Sequence, residues 1–280
     1  VTTAWVKSDR QLQRERVRRS RARRSVSVAT ASTIICLLIV AGVVVNAPGW
    51  PRVQERFFSA EHFARALPDV LEGFLLNVKM FLIAEPLILV IGLLVAVVRG
   101  LKAPVFFPLR ALAIFYVDFF RGIPTLMLIY MVGFGLPALN LQGVPTDPAT
   151  LGIIALTLSY GAYVAEVFRA GIESIHPSQV ASARSLGLSH AKTMRFVVIP
   201  QATRRVVPPL LNDFISLQKD TALVATIGAV EALRSAQIHA AKTFNYTAYL
   251  VAALLFILLT IPLARFTDHL AARAQRRRGA

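Results

Sequence analysis

The chain has 280 residues, 55% of them hydrophobic and 16% charged, with a formal net charge of +16 at pH 7. In a soluble protein that charge would point first to nucleic acid, but runs of roughly 18 or more apolar residues recur, which soluble cores seldom contain and membrane helices need. A single cysteine, Cys36, excludes an intrachain disulfide or a cysteine metal cluster; the five histidines show no metal-ligand spacing, and there is no GxxxxGK[ST] phosphate loop for ATP hydrolysis.

Residues 1–28 hold the run RERVRRSRARR, too polar to bury anything, and predict a disordered basic cytoplasmic tail. Residues 29–47 follow as a first membrane anchor. A cleaved signal peptide is the rival reading; it fits less well because the apolar stretch exceeds an h-region and Val45-Asn46-Ala47 is a poor cleavage site. Residues 48–70 read as an extracytoplasmic linker whose Trp50, Phe57, Phe58 and Phe63 suit a helix lying at the interface. Further spans are predicted over 71–98, 109–136, 149–169, 206–230 and 247–264. Arg99 and Lys102 mark an inner turn punctuated by Pro104 and Pro108, outer loops cover 137–148 and 231–246, and a basic cytoplasmic tail covers 266–280. The fold class is all-α, a polytopic membrane bundle of about six helices.

On that assignment, 23 of the 31 Lys and Arg lie on one side, 5 on the other and 3 within spans. Such asymmetry is the positive-inside signature, so the charge reports orientation and anionic headgroups instead of nucleic acid. Both termini are then cytoplasmic, in a multi-pass protein of the inner cell membrane.

One stretch, 166–202, EVFRAGIESIHPSQVASARSLGLSHAKTMRFVVIPQA, stays polar long enough to fold in water, and its basic residues place it in the cytoplasm. Ser178 is predicted to cap a short helix through Leu186, with Val180, Ala183 and Leu186 on one face. Gly187 closes that helix in the left-handed conformation, and Ser189 starts a second one that Pro200 stops. Glu166, Arg169, Gly171, Ile172, Gln179, Ala183, Leu186, Gly187, Leu188, Ser189, Pro200, Gln201 and Ala202 stand in register with a known pattern. It resembles the cytoplasmic loop of permease subunits of ATP-binding-cassette importers, in particular the polar amino acid uptake family. Ala181 replaces that family's glutamate, and Ser182 replaces the first of two alanines. FFRGIPTL resembles the family's F-R-G-T-P-L-L, with Ile123 for threonine. Pro209, Asn212, Phe214, Ile215, Leu217, Lys219, Asp220, Thr221 and Leu223 match its P-x-x-N-x-F-I-x-L-x-K-D-[ST]-[SA]-L.

The resemblance implies a permease domain over 71–265 with its coupling loop at 173–205. Gln179, Ala181, Ser182, Ala183, Arg184, Leu186, Gly187 and Leu188 would meet a dimer of ATP-binding-cassette ATPases. A second permease subunit, identical or not, an extracytoplasmic substrate-binding protein and a polar or charged amino acid substrate are implied with it. This chain would carry no cofactor and catalyse no reaction, ATP and magnesium belonging to the ATPase.

Polar side chains are costly in hydrocarbon, so those that persist face a path or a protein seam. Asn212, Asp213, Ser216, Lys219 and Asp220 share an arc of about 120° on one helix, and Ser159 and Tyr163 share a face with Glu166. These seven are the candidates for the translocation path and substrate, although Lys219 and Asp220 can instead pair with each other. Asp118 and Arg121, spaced i,i+3, are expected to neutralise one another, and Glu166 and Arg169 to brace the loop. Lys79 and Glu85 point in different directions and define no pocket. An ion-gradient-driven secondary transporter or channel is the alternative; it would need repeated halves with broken helices, which the sequence does not display.

Overall fold

A computed structural model describes residues 8–101 and 103–276; the expectations for residues 1–7, Lys102 and 277–280 lie outside the described residues. Every regular element among the described residues is helical. The chain divides into two compact units, one up to Arg56 and one from Phe57.

In the first unit, α1 runs from Asp9 to Val45. The basic segment is therefore not a disordered tail from Asp9 onward. No proline interrupts it, its Arg, Gln, Glu and Ala are strong helix formers, and Ser8 N donates to Gln11 Oε1 at 3.1 Å at its start. The apolar part, Arg24–Val45, is long enough to cross a membrane. A short amphipathic helix, α2 (Trp50–Phe57), follows with no residue buried.

The second unit begins with α3 (Ala60–Arg99), capped by Ser59 Oγ, which accepts from His62 N at 3.3 Å. Most of the linker expected over 48–70 is thus helix. Next come α4 (Phe107–Gly122) and α5 (Thr125–Ala138), bent by 106° to one another. A single span over 109–136 was expected. Pro124 lacks an N–H and its ring forces Ile123 out of the helical region, to φ −99° and ψ 130°, so the two halves part there.

Asp147 caps α6 (Pro148–Glu173), and α7 (Pro177–Ser185) and α8 (His190–Thr193) follow. A π-turn over Met194–Val198 leads into α9 (Ile199–Asp220), then a 3-10 turn over Thr221–Ile227, α10 (Ala232–Thr243) and α11 (Thr247–Arg276). Arg24–Val45, Trp50–Arg99, Pro148–Glu173 and Thr247–His269 are long and apolar enough to cross a membrane, and the bent α4–α5 pair makes a fifth if taken as one span. The remaining expected span, 206–230, is α-helix only to Asp220 and 3-10 from there to Ile227, and it is not among the helices long and apolar enough to cross; most of the outer loop expected over 231–246 is α10.

Inside a bilayer, lipid tails are as apolar as leucine, so close fit and small residues decide which helices associate. Gly92 lets α3 and α6 touch: a Cβ there would lie 2.5 Å from Val164 Cγ1. Met80, Ile88, Ile129, Leu156, Val164, Leu217 and Val224 form one buried cluster, and Ala66, Val70, Phe74, Ala232, Ala236 and Val251 a second.

Candidate functional site

Pro177 occupies the first position of α7, where a missing N–H has no helical partner to lose. The cap is His176 and not Ser178: His176 Nδ1 accepts from Ser178 N at 3.2 Å. Gly187 takes φ 81°, and Leu188 N donates back to Ala183 O at 3.2 Å, the left-handed closure that the sequence predicts. Leu186 does not join Val180 and Ala183 on the inner face. It leaves the helix at its end and is 84% exposed, whereas Ala183 is buried. Gln179, Ala181, Ser182, Arg184 and Leu186 therefore look outward from a rigid peg, with Leu188 half-buried behind them. Ser189 Oγ accepts from Lys192 N at 3.4 Å and starts α8. Pro200 does not stop the chain's helix; the π-turn absorbs the change of phase, and Pro200 sits in the first turn of α9, where it is tolerated.

The end of α6 that feeds this peg is held by charge. Glu166 accepts from Arg99 Nη1 at 2.8 Å and from Arg169 Nε at 3.1 Å, and Arg121 Nη1 lies 4.0 Å away. Arg169 also binds Glu173. Three helices, α3, α4 and α6, thus meet on one carboxylate. The expected Asp118–Arg121 pair does not form. Arg121 turns to Glu166 and lies over the Tyr163 ring at 5.6 Å, and Asp118 has no ion pair or hydrogen bond among the described residues.

On α9, Asn212 and Lys219 are exposed, and Asp213, Ser216 and Asp220 are half-buried. Lys219 and Asp220 do not pair. Asp220 Oδ2 accepts from Tyr160 Oη at 2.8 Å, and Asp213 Oδ2 is buried without a partner among the described residues. Ser159 is fully buried with Oγ 3.0 Å from Thr125 Oγ1, so it joins α5 to α6 and lines nothing open. Tyr163 remains exposed. Lys79 lines a groove of about 590 Å3 between α3 and α10 with Asp69, Glu72, His239 and Lys242. Glu85 lines a separate, apolar crevice of about 370 Å3 with Val207, Phe214 and Leu263.

Sequence reasoning missed a buried polar corner. Asn77 Nδ2 donates to Thr221 Oγ1 at 3.1 Å and to Glu231 Oε2 at 2.9 Å, and Asn77 Oδ1 accepts from Ala232 N at 3.1 Å. Glu231 caps α10 by accepting from Arg234 N at 2.7 Å, and burial pushes its carboxyl above the usual range despite those donors. The signal was a lone amide in the apolar run FLLNVKMFL. At Gly73, a Cβ would lie 2.5 Å from the Glu231 carbonyl carbon, so only glycine lets the two segments come this close.

Residues 88–276, which include α6 to α11, match the family model described as binding-protein-dependent transport system inner membrane component. The chain belongs to that family. The Bacillus subtilis protein named Probable glutamine ABC transporter permease protein GlnM is 33% identical over 74% of this chain and 93% of its own length. The arginine transport system permease protein ArtQ of the same organism is 35% identical over 70% and 87%. A solved amino acid ABC transporter with histidines matches with a TM-score of 0.68 at 31% identity, over 75% of this chain and 96% of that one. An inward-facing MetNI methionine ABC transporter shares the fold, with a TM-score of 0.58 at 18% identity over 73% and 95%. This chain is thus the inner membrane permease of a binding-protein-dependent ABC importer, and the relatives it matches are named as amino acid transport permeases. The alternative of an ion-gradient-driven carrier or channel falls with that membership.

Proposed function

We propose that this permease carries a polar or charged amino acid by alternating access, with α7 and α8 seated on a separate ATP-hydrolysing dimer in the cytoplasm. Leu186 carries the reading. A large aliphatic side chain left 84% exposed on a nine-residue helix, locked by a left-handed glycine, is shaped to enter a protein cleft. The charge asymmetry of the sequence supports a cytoplasmic position for that helix and for both termini. A second permease subunit completes the path, a binding protein delivers substrate from the opposite side, and ATP and magnesium stay on the ATPase.

The path is the exposed side of α9, with Asn212 and Lys219, joined by Tyr163 on α6 and flanked by the half-buried Asp213, Ser216 and Asp220. Because Glu166 ties the α6 terminus to α3 and α4, a push on α7 moves three helix ends as one body. The test is Gly187→Arg. There is open space around that glycine, so the bundle should insert normally, while the strained backbone and added bulk should abolish ATP-driven uptake into vesicles. Normal uptake by the inserted variant would remove α7 from the coupling role.

A further inference from the structure

From Ser174 to Asn212 the chain carries five Lys or Arg and no Asp or Glu. The nearest carboxylate before this stretch, Glu173, is already held by Arg169. Within it, Arg205 donates to Ser174 O and Arg195 lies over the Phe196 ring at 5.6 Å. Arg184 and Lys192 are exposed, and their charged ends have no ion pair or hydrogen bond among the described residues. The outermost aliphatic group, Leu186, follows Arg184 by two residues and is 84% exposed. An apolar anchor thus stands two residues from one exposed cation, with a second on the next helix, and neither has a counter-ion among the described residues. Covering such cations with a neutral or basic surface strips their water and returns nothing, so an occupant of this face has to bring carboxylates.

We propose that the ATPase seated here, on the docking role proposed above, surrounds an apolar hollow for Leu186 with an acidic rim. Asp or Glu side chains stand opposite Arg184 and Lys192, and an ATPase with a neutral or basic rim is rejected. Charge then chooses the ATPase, and Leu186 supplies the grip once it is chosen. Ala181, exposed on the same helix, is neutral for a physical reason: a carboxylate there would face the rim's own carboxylates.

The test is capture of the tagged, full-length permease from its own cells in mild detergent, with the co-purifying ATPase quantified as salt is raised. Retained ATPase should fall about tenfold from low salt to about 1 M, where the screening length shrinks to about 3 Å. Arg184→Glu with Lys192→Glu should lower capture at low salt about tenfold. Arg184→Gln with Lys192→Gln, a milder change on exposed positions, should flatten the salt dependence, and Ala181→Glu should weaken capture with both cations in place. ATPase retained equally by all variants at all salt concentrations would overturn the acidic rim and leave docking standing. No ATPase captured at any salt would overturn docking itself. Equal ATPase capture by parent and double variant, with the variant alone losing its affinity for phosphatidylglycerol vesicles, would assign the cations to headgroups and also overturn the rim.

Discussion

At the corner where α3, the 3-10 turn and α10 meet, Asn77 makes three hydrogen bonds and Glu231 accepts from both Asn77 and the α10 backbone. On α7, Arg184 and Leu186 are turned outward and their side chains meet no partner among the described residues. The first region spends its polar groups inside the chain and so fixes where helices sit. The second leaves its groups open, which adds nothing to the isolated fold and keeps them available to another molecule. The two regions are thus distinguished by whether their side chains already have partners within the chain.

The comparison is sharpened most strongly at Asn77. Asn77→Leu leaves Glu231 and Ala232 N without their buried partner and should lower stability by about 3 kcal/mol, read as an earlier unfolding midpoint in detergent. Glu166→Gln removes the charge that three arginines share. With part of the cluster open to solvent, the expected loss is smaller, about 1–2 kcal/mol, together with reduced ATP-driven uptake as the helix ends uncouple.

A weaker effect comes from His62 Nδ1, 3.3 Å from His239 Nε2, which joins the start of α3 to α10. Burial, and then the neighbouring His62, hold the His239 imidazole below its ordinary value, so the fold favours the neutral ring. Stability from this source is complete above about pH 6.5 and is lost as pH falls through it, because the unfolded chain takes the proton more readily. His239→Gln should flatten that slope in melts between neutral and mildly acidic pH. The smallest change in stability is expected for Leu186→Ala, within about 0.5 kcal/mol, because the side chain rests on nothing. A loss of uptake without a loss of stability would uphold the contrast between the two regions; a large loss of stability would show that Leu186 serves the fold.

Features written in neighbouring residues were legible in the sequence. Gly187 closes α7, Ser189 opens α8 and α6 begins within one residue of its expected start, because caps and periodicity act over a few residues. Composition misled at α1, where arginine-rich sequence suggested disorder but contains nothing that breaks a helix. Local spacing misled at Arg121, since Asp118 is near in sequence but the guanidinium lies toward Glu166 and over the Tyr163 ring. The Asn77–Glu231 contact joins residues 154 apart, a distance over which a single sequence carries no pairing signal. Membership of the permease family was legible in the 166–202 pattern.

Where one span over 109–136 is expected, the chain turns through 106° between Gly122 and Thr125. A straight rod hands a push from one end to the other; an elbow converts it into rotation. The α5 half is gripped by its own neighbours, Leu128, Ile129 and Val132 in the buried cluster and Gly133 against Ile227. The α4 half is fastened through Tyr116 to the Leu158 carbonyl and Arg121 to Glu166. Because Thr125 at the start of α5 meets Ser159, the residue after Leu158, both arms of the elbow are tied to one place on α6, and a displacement of α6 reaches them along two directions.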